Sequence, residues 1–155
     1  MLNPKDKKIL NILLDNSRLS FREVAKKAKV SVVTVIKRVK ELEKKKILKS
    51  YTTELDYEQL GYDVEAIIML QIDKGKLFEV ERKLAHDNNV FAVYDTTGDY
   101  DSMVIAKFKN RKSLDLFLKK IQRYDFVKKT KTKLVLNTIK ERQIKVEWYQ
   151  IKRDK

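Results

Sequence analysis

From Val64 to Ile139 the apolar residues switch repeatedly between a period of two and a period near 3.6, which is the tightest constraint on what this chain can fold into. Val64, Ala66, Ile68, Leu70 and Ile72 form one face of a strand that runs to Asp73, with Ile67 and Met69 on the other face. Apolar residues on both faces require both to be covered, one by the domain's own helices and the other by a second subunit. Gly75 then opens a helix with the stripe Leu77, Val80, Leu84 and Ala85. Val90–Thr97 and Tyr100–Phe108 read as two strands joined tightly at Gly98-Asp99. Asn110 caps a second helix with Leu114, Phe117, Leu118 and Ile121 at i, i+3, i+4, i+7, and a last strand is expected over Thr130–Ile139. The order β-α-β-β-α-β specifies two split βαβ units around one antiparallel sheet.

The first fifty residues carry a different pattern, three short helices with brief turns between them. Asn3 caps the first, with Pro4 at its first position, Asp6 in its first turn and Ile9, Leu10, Leu13 and Leu14 as its stripe; Asp15-Asn16-Ser17 ends it. Ser20 and Glu23 make a capping box, in which the serine accepts from the third helical amide and the glutamate reaches back to the serine amide. Phe21, Val24, Ala25 and Ala28 follow at helical spacing. Ser31 caps a third helix whose buried stripe is Val35, Val39 and Leu42, and whose other side shows Thr34, Lys37, Arg38, Lys40 and Glu41.

Two short helices separated by a few residues, the second basic on its outer face, have the geometry of a helix-turn-helix. A major groove about 12 Å wide admits one helix, whose N-terminal part meets base edges. Ser31, Val33, Thr34, Lys37 and Arg38 are therefore the expected readers, and Ser20, Arg22 and Lys40 complete the DNA-binding set. Serine and threonine bond bases or phosphates, Val33 suits a thymine methyl, and Lys37 or Arg38 can address guanine or the backbone. A solvated basic face on a small three-helix domain is the competing reading.

Charge is distributed accordingly. Of the net +14, residues 1–50 hold 15 Lys/Arg against 5 Asp/Glu, residues 51–126 hold 11 against 14, and residues 127–155 hold 10 against 3. A polyanion, whether DNA, RNA or anionic lipid, is thus expected mainly at one end, leaving the middle for another role. Between the two patterned regions, residues 51–62 contain a β-prone hinge running into a helical turn that ends at Gly61. The expected organisation is a helix-turn-helix domain over 1–50, a hinge strand and linker over 51–62, an α+β domain over 63–141 and a basic extension over 142–155.

Other functions find little support. With no cysteine and a single His86, the sequence offers no thiolate chemistry, no histidine metal cluster and no acid/base set, and it has no Gly-rich phosphate loop; neither enzymatic activity nor a bound metal is expected. RNA recognition on the sheet would need aromatics where Met103-Val104-Ile105-Ala106 stand. No stretch approaches the roughly 20 apolar residues of a membrane span, and the basic N-terminus lacks the apolar run of a signal peptide, so a cytoplasmic, nucleoid-associated protein without a membrane partner is expected.

Taken in order, Asp6-Lys7-Lys8-Ile9-Leu10, Ala25-Lys26-Lys27-Ala28, Ser31 through Leu42, Ile47-Leu48-Lys49-Ser50-Tyr51, Leu60-Gly61-Tyr62-Asp63 and Thr97-Gly98-Asp99-Tyr100-Asp101 resemble the Lrp/AsnC (feast/famine) transcriptional regulators of bacteria and archaea. The resemblance covers residues 2–141 and implies an α+β protein: an N-terminal three-helix, winged-helix-like helix-turn-helix domain, a β hinge strand, and a C-terminal ferredoxin-like βαββαβ domain that senses a ligand and dimerises. It further implies homodimers assembling into tetramers or octamers, double-stranded DNA and the transcription machinery as partners, and no cofactor beyond an amino acid or related small effector. In such regulators the effector binds near the loop joining the second and third strands of the sensing domain, here Thr97, Gly98, Asp99, Tyr100 and Asp101. Gly98 would let backbone amides approach a carboxylate, and Asp99 or Asp101 would accept from an ammonium group. The same Gly-Asp pair also suits an ordinary hairpin turn.

Three positions depart from the family's pattern. Lys29 and Lys46 stand where glycine is common, so either these turns change geometry or the lysines add phosphate contacts. Ile36 places an apolar side chain where a polar or basic one is frequent, leaving open which of Lys37 and Arg38 points inward. In the tail, Val146, Trp148 and Gln150 alternate with Glu147, Tyr149 and Ile151, a pattern for a strand added to a neighbouring sheet or for aromatic stacking on bases. Phe78, Phe91, Phe108 and Phe126 read as core. A sequence-tolerant architectural DNA-binding protein without an effector is the alternative function.

Overall fold

The computed structural model describes residues 2–73 and 75–146, which fall into two compact units: residues 2–54 together with 140–146, and residues 55–139.

The first unit consists of α1 (Pro4–Asp15), α2 (Phe21–Ala28) and α3 (Val32–Lys44). Side chains fix where each begins. Asn3 accepts from the Asp6 amide while Asp6 accepts from the Asn3 amide, Ser20 and Glu23 make the same reciprocal pair, and Ser31 accepts from the Thr34 amide. The core unites Ile9 and Leu13 of α1, Val24, Ala25 and Ala28 of α2, and Val35 and Val39 of α3, with Leu48 packed against it. Leu14 and Phe21, at the edges of the expected stripes, remain exposed. After α3 the chain shows no strand from Lys45 to Asp63, so the expected hinge strand over 51–62 is absent within this chain. A strand is defined by hydrogen bonds to a neighbour, and this β-prone segment has none within the chain. The tail is tied down through Asn11, whose amide donates to the Val146 carbonyl at 3.0 Å and accepts from the Val146 amide at 2.8 Å, as a paired strand residue would. The alternation expected around Trp148 lies outside the described residues.

The second unit carries one antiparallel sheet, ordered β2-β3-β1-β4, built from β1 (Val64–Ile72), β2 (Val90–Asp95), β3 (Ser102–Phe108) and β4 (Val127–Leu134). Two helices, α4 (Leu77–Ala85) and α5 (Arg111–Gln122), pack on the sheet. Ala66, Ile68, Leu70 and Ile72 alternate inward with Val104, Ala106 and Phe108 and meet Val80, Leu84, Leu114, Phe117 and Ile121 from the helices. The rings of Phe108 and Phe117 lie 5.2 Å apart at 55°. On the opposite face the register sets Ile67 beside Ile105 and Met69 beside Met103, all only half-buried.

Four expectations need correction. β4 starts at Val127 and stops at Leu134, three to five residues ahead of the expected limits, because its register is set by pairing with β1 rather than by its own weak alternation. β2 and β3 stop at Asp95 and resume at Ser102, so their connection is a six-residue loop and not a two-residue turn. Ala85 is exposed at the end of α4. Phe78 and Phe91 are 79% and 52% exposed, whereas Phe108 is buried and Phe126 packs against the core.

Candidate nucleic-acid interface

The turn between α2 and α3 closes in the same way as the end of α3. The Val30 amide reaches the Ala25 carbonyl and the Lys29 amide the Lys26 carbonyl; after α3, Ile47 reaches Leu42 and Lys46 reaches Glu43. This double closure requires a left-handed residue, usually glycine, and here Lys29 (φ 57°) and Lys46 (φ 54°) occupy it. The lysines therefore leave the geometry unchanged and accept its strain, roughly 1 kcal/mol each relative to glycine.

The turn sets α3 with Ser31 at its start. The Ser31 and Thr34 hydroxyls lie 2.8 Å apart, so both are engaged locally while Ser31 remains exposed. At about 100° per residue, Val33, Lys37 and Lys40 fall within roughly 60° of one another on the helix circumference, opposite Val35, Val39 and Leu42. Val33 is 75% exposed, and Lys37, Lys40 and, from α2, Ser20 and Arg22 are exposed as well. Lys44 continues the same stripe at the far end of α3; helical periodicity from Val33 could have identified it.

Arg38 is the exception among the expected readers. It lies about 140° around α3 from Val33 and turns back toward α1. Its Nε and Nη2 donate to the two carboxylate oxygens of Asp6 at 2.6 Å each, and Nη1 donates to Glu41 at 2.7 Å. Asp6 is 1% exposed, so this is a bidentate bridge between α1 and α3 in the interior of the helical unit. The Arg38 hydrogen bond, against the opposing effect of burial, holds the Asp6 carboxyl below the usual carboxylate range, and Asp6 raises the Arg38 guanidinium in turn. Arg38 is thus a structural residue, and Lys37 is the outward one. Sequence spacing gave no sign of this bridge, because its partners lie 32 residues apart.

In the second unit, the loop expected to hold an effector runs from Thr96 to Asp101. It is closed by the Thr96 amide donating to the Asp101 carbonyl at 2.9 Å and by the Thr96 hydroxyl donating to the Tyr100 carbonyl at 2.8 Å. Gly98 has φ 109° with open space around it, so backbone conformation alone requires glycine there. Thr97, Gly98 and Asp99 are exposed, and Tyr100 and Asp101 are half-buried. Asp101, expected as an acceptor for an ammonium group, already has a role within the fold. Its carboxylate accepts from the Ile72 amide at 2.7 Å, where the β1–β4 register shifts, and its own amide donates to the Leu70 carbonyl. Asp101 therefore locks the loop to the end of β1, leaving Asp99 as the exposed carboxylate.

Comparison with known proteins agrees with both units. Residues 2–49 match the winged helix-turn-helix DNA-binding model, and residues 65–144 match the Lrp/AsnC ligand binding domain. An HTH-type transcriptional regulator of Pyrococcus abyssi, itself uncharacterised, is 45% identical over 91% of this chain and 96% of its own length. E. coli AsnC superposes with a TM-score of 0.86 at 28% identity, covering 94% of this chain and 99% of its own. A Neisseria meningitidis transcriptional regulator, solved as its complex with L-Met, shares the fold at 24% identity and a TM-score of 0.86, covering 95% and 97%. The chain belongs to the Lrp/AsnC family and is an HTH-type transcriptional regulator with a helix-turn-helix DNA-binding domain followed by a ligand-binding domain.

Proposed function

We propose that this regulator binds specific DNA sites by placing the N-terminal half of α3 in the major groove, with Val33 and Lys37 at base edges and Lys40 and Arg22 on phosphates. The observation that carries this reading is the outward stripe of α3, where a 75% exposed valine stands beside exposed lysines on a helix otherwise anchored by Val35, Val39 and Arg38. An exposed apolar side chain there gains nothing in water and suits a thymine methyl. Two copies pair through the sheet face bearing Ile67, Met69, Met103 and Ile105, which needs an apolar cover, and present two α3 helices to half-sites one or more helical turns apart. Such dimers assemble further into tetramers or octamers, and the protein acts as a cytoplasmic regulator rather than an enzyme.

A small effector, an amino acid in this reading, binds near Thr97, Gly98, Asp99 and Tyr100, with Asp99 as the acceptor for its ammonium group. It shifts operator affinity only insofar as it favours one assembly state. The test is selection of bound genomic fragments with purified protein at fixed salt, with and without a panel of amino acids. A short inverted-repeat consensus, its occupancy moved by one amino acid, is expected. Uniform, strongly salt-dependent binding without a consensus would instead identify a sequence-tolerant architectural protein.

A further inference from the structure

Five of the described residues have positive φ. Three are glycines (Gly61, Gly75, Gly98), which hold the conformation without a Cβ penalty; the other two are Lys29 and Lys46. Both exceptions are lysines, and they flank one helix, α3. The left-handed backbone serves the double closures, but both side chains are exposed and among the described residues neither ammonium has a hydrogen bond or ion pair, so the fold makes no use of the charge that replaces glycine. A charged side chain kept where glycine would fit with less strain is a reason to look for an external partner.

We propose that Lys29 and Lys46 are backbone clamps, whose ammonium groups hold DNA phosphates on the two sides of the groove that receives α3. The inference rests on the reading of α3 as the groove-entering helix and extends it to residues outside that helix. With its N-terminal half in the groove, α3 runs about 20 Å over its 13 residues, past the roughly 12 Å groove width, so Lys46 beyond its far end stands toward one bordering phosphate strand and Lys29, in the turn before its start, toward the other. Both lysine side chains are exposed where these turns leave the helices. Glycine would close both turns more stably but would carry no charge.

The clamp reading predicts stability and affinity changes of opposite sign. Lys29→Gly and Lys46→Gly should each raise the melting temperature of the helical unit, followed in the full chain, by about 4–8 °C. Each should weaken binding to a mixed-sequence DNA duplex of about 40 base pairs, roughly four helical turns, by up to about eightfold near 0.1 M salt. Each should also reduce the slope of log affinity against log salt by about 0.9. Lys29→Arg and Lys46→Arg keep both charge and strain, and should retain the original slope and melting temperature. Glycine variants that are more stable yet bind with unchanged affinity and slope would overturn the clamp, as would arginine variants that bind no better than the glycine ones. If the unsubstituted chain shows no salt-dependent DNA binding, the groove reading itself fails, and the clamp with it.

Discussion

Replacing Arg38 with alanine should unfold the helical unit more readily without acting through DNA recognition. The substitution leaves the Asp6 carboxylate, 1% exposed, with only the Asn3 amide as a hydrogen-bond donor. Stranding one partner of a buried pair costs about 3–5 kcal/mol. The Arg38 side chain keeps 22% of its exposure, and screening at that edge reduces the expected loss to about 2–4 kcal/mol. For a unit of this size that is a fall in melting temperature on the order of 10–20 °C. The paired replacement Asp6→Leu with Arg38→Met removes both charges, substitutes apolar side chains of comparable bulk, and should recover most of the loss. The acid limb gives a second readout. Asp6 holds its proton less tightly when folded than when unfolded, so between the folded value and the unfolded value near 3.9 the unfolded chain binds more protons. The bridge's contribution is complete above that range and is lost as pH falls through it; the double variant should lack this loss. Circular dichroism melts across pH, combined with DNA titration at fixed salt, separate the two roles of Arg38. An Arg38→Ala variant as stable as the parent but unable to bind DNA would refute this reasoning and return Arg38 to the base-reading set.

Val33→Asp should leave the melting temperature within a degree or two, since the side chain is 75% exposed, while abolishing site-specific binding measured by titration on a selected fragment. Asp101→Ala leaves the Ile72 amide without its side-chain acceptor and should destabilise the sheet unit by about 1–3 kcal/mol in denaturant melts, an effect present without any effector. By contrast, Asp99→Ala should change an amino-acid response while leaving those melts unaltered. Although Tyr51 is 48% exposed, its partial burial and its hydrogen bond to Glu43 push the phenol up to about 12. The folded chain therefore keeps this proton after the unfolded chain has lost it, so the contribution present below pH 10 disappears as pH rises through 12. Ultraviolet titration should show one late tyrosine that Tyr51→Phe removes.

The elements whose cause is local were readable from the residues in order. Asn3, Ser20, Ser31 and Asn110 fixed four helix starts because a capping side chain acts within three residues of itself. The β1 faces followed from strict alternation between the inward Ala66, Ile68 and Leu70 and the outward Ile67 and Met69. What could not be read depended on distant partners. β4 takes its limits from pairing with β1, and a run such as Lys128-Lys129-Thr130-Lys131 has too little apolar contrast to mark its own ends. The hinge segment has β-prone residues but no neighbour in its own chain. Within the site, the outward stripe of α3 is legible by period, but the structural partners of Arg38 and Asp101 are not, because charge type says nothing about which distant group will engage a side chain. Asp6 claimed the first and the Ile72 amide the second.

The central claim is that Lys37 and its stripe read the groove and that Arg38 does not. It is tested most directly by selecting genomic fragments side by side with the parent chain, with Lys37→Ala and with the Asp6→Leu/Arg38→Met pair. The pair should recover the parent's consensus, while Lys37→Ala should lose preference at one position of each half-site, a change of about 1–3 kcal/mol in base discrimination. A consensus that survives Lys37→Ala but dissolves in a folded Asp6→Leu/Arg38→Met chain would contradict it.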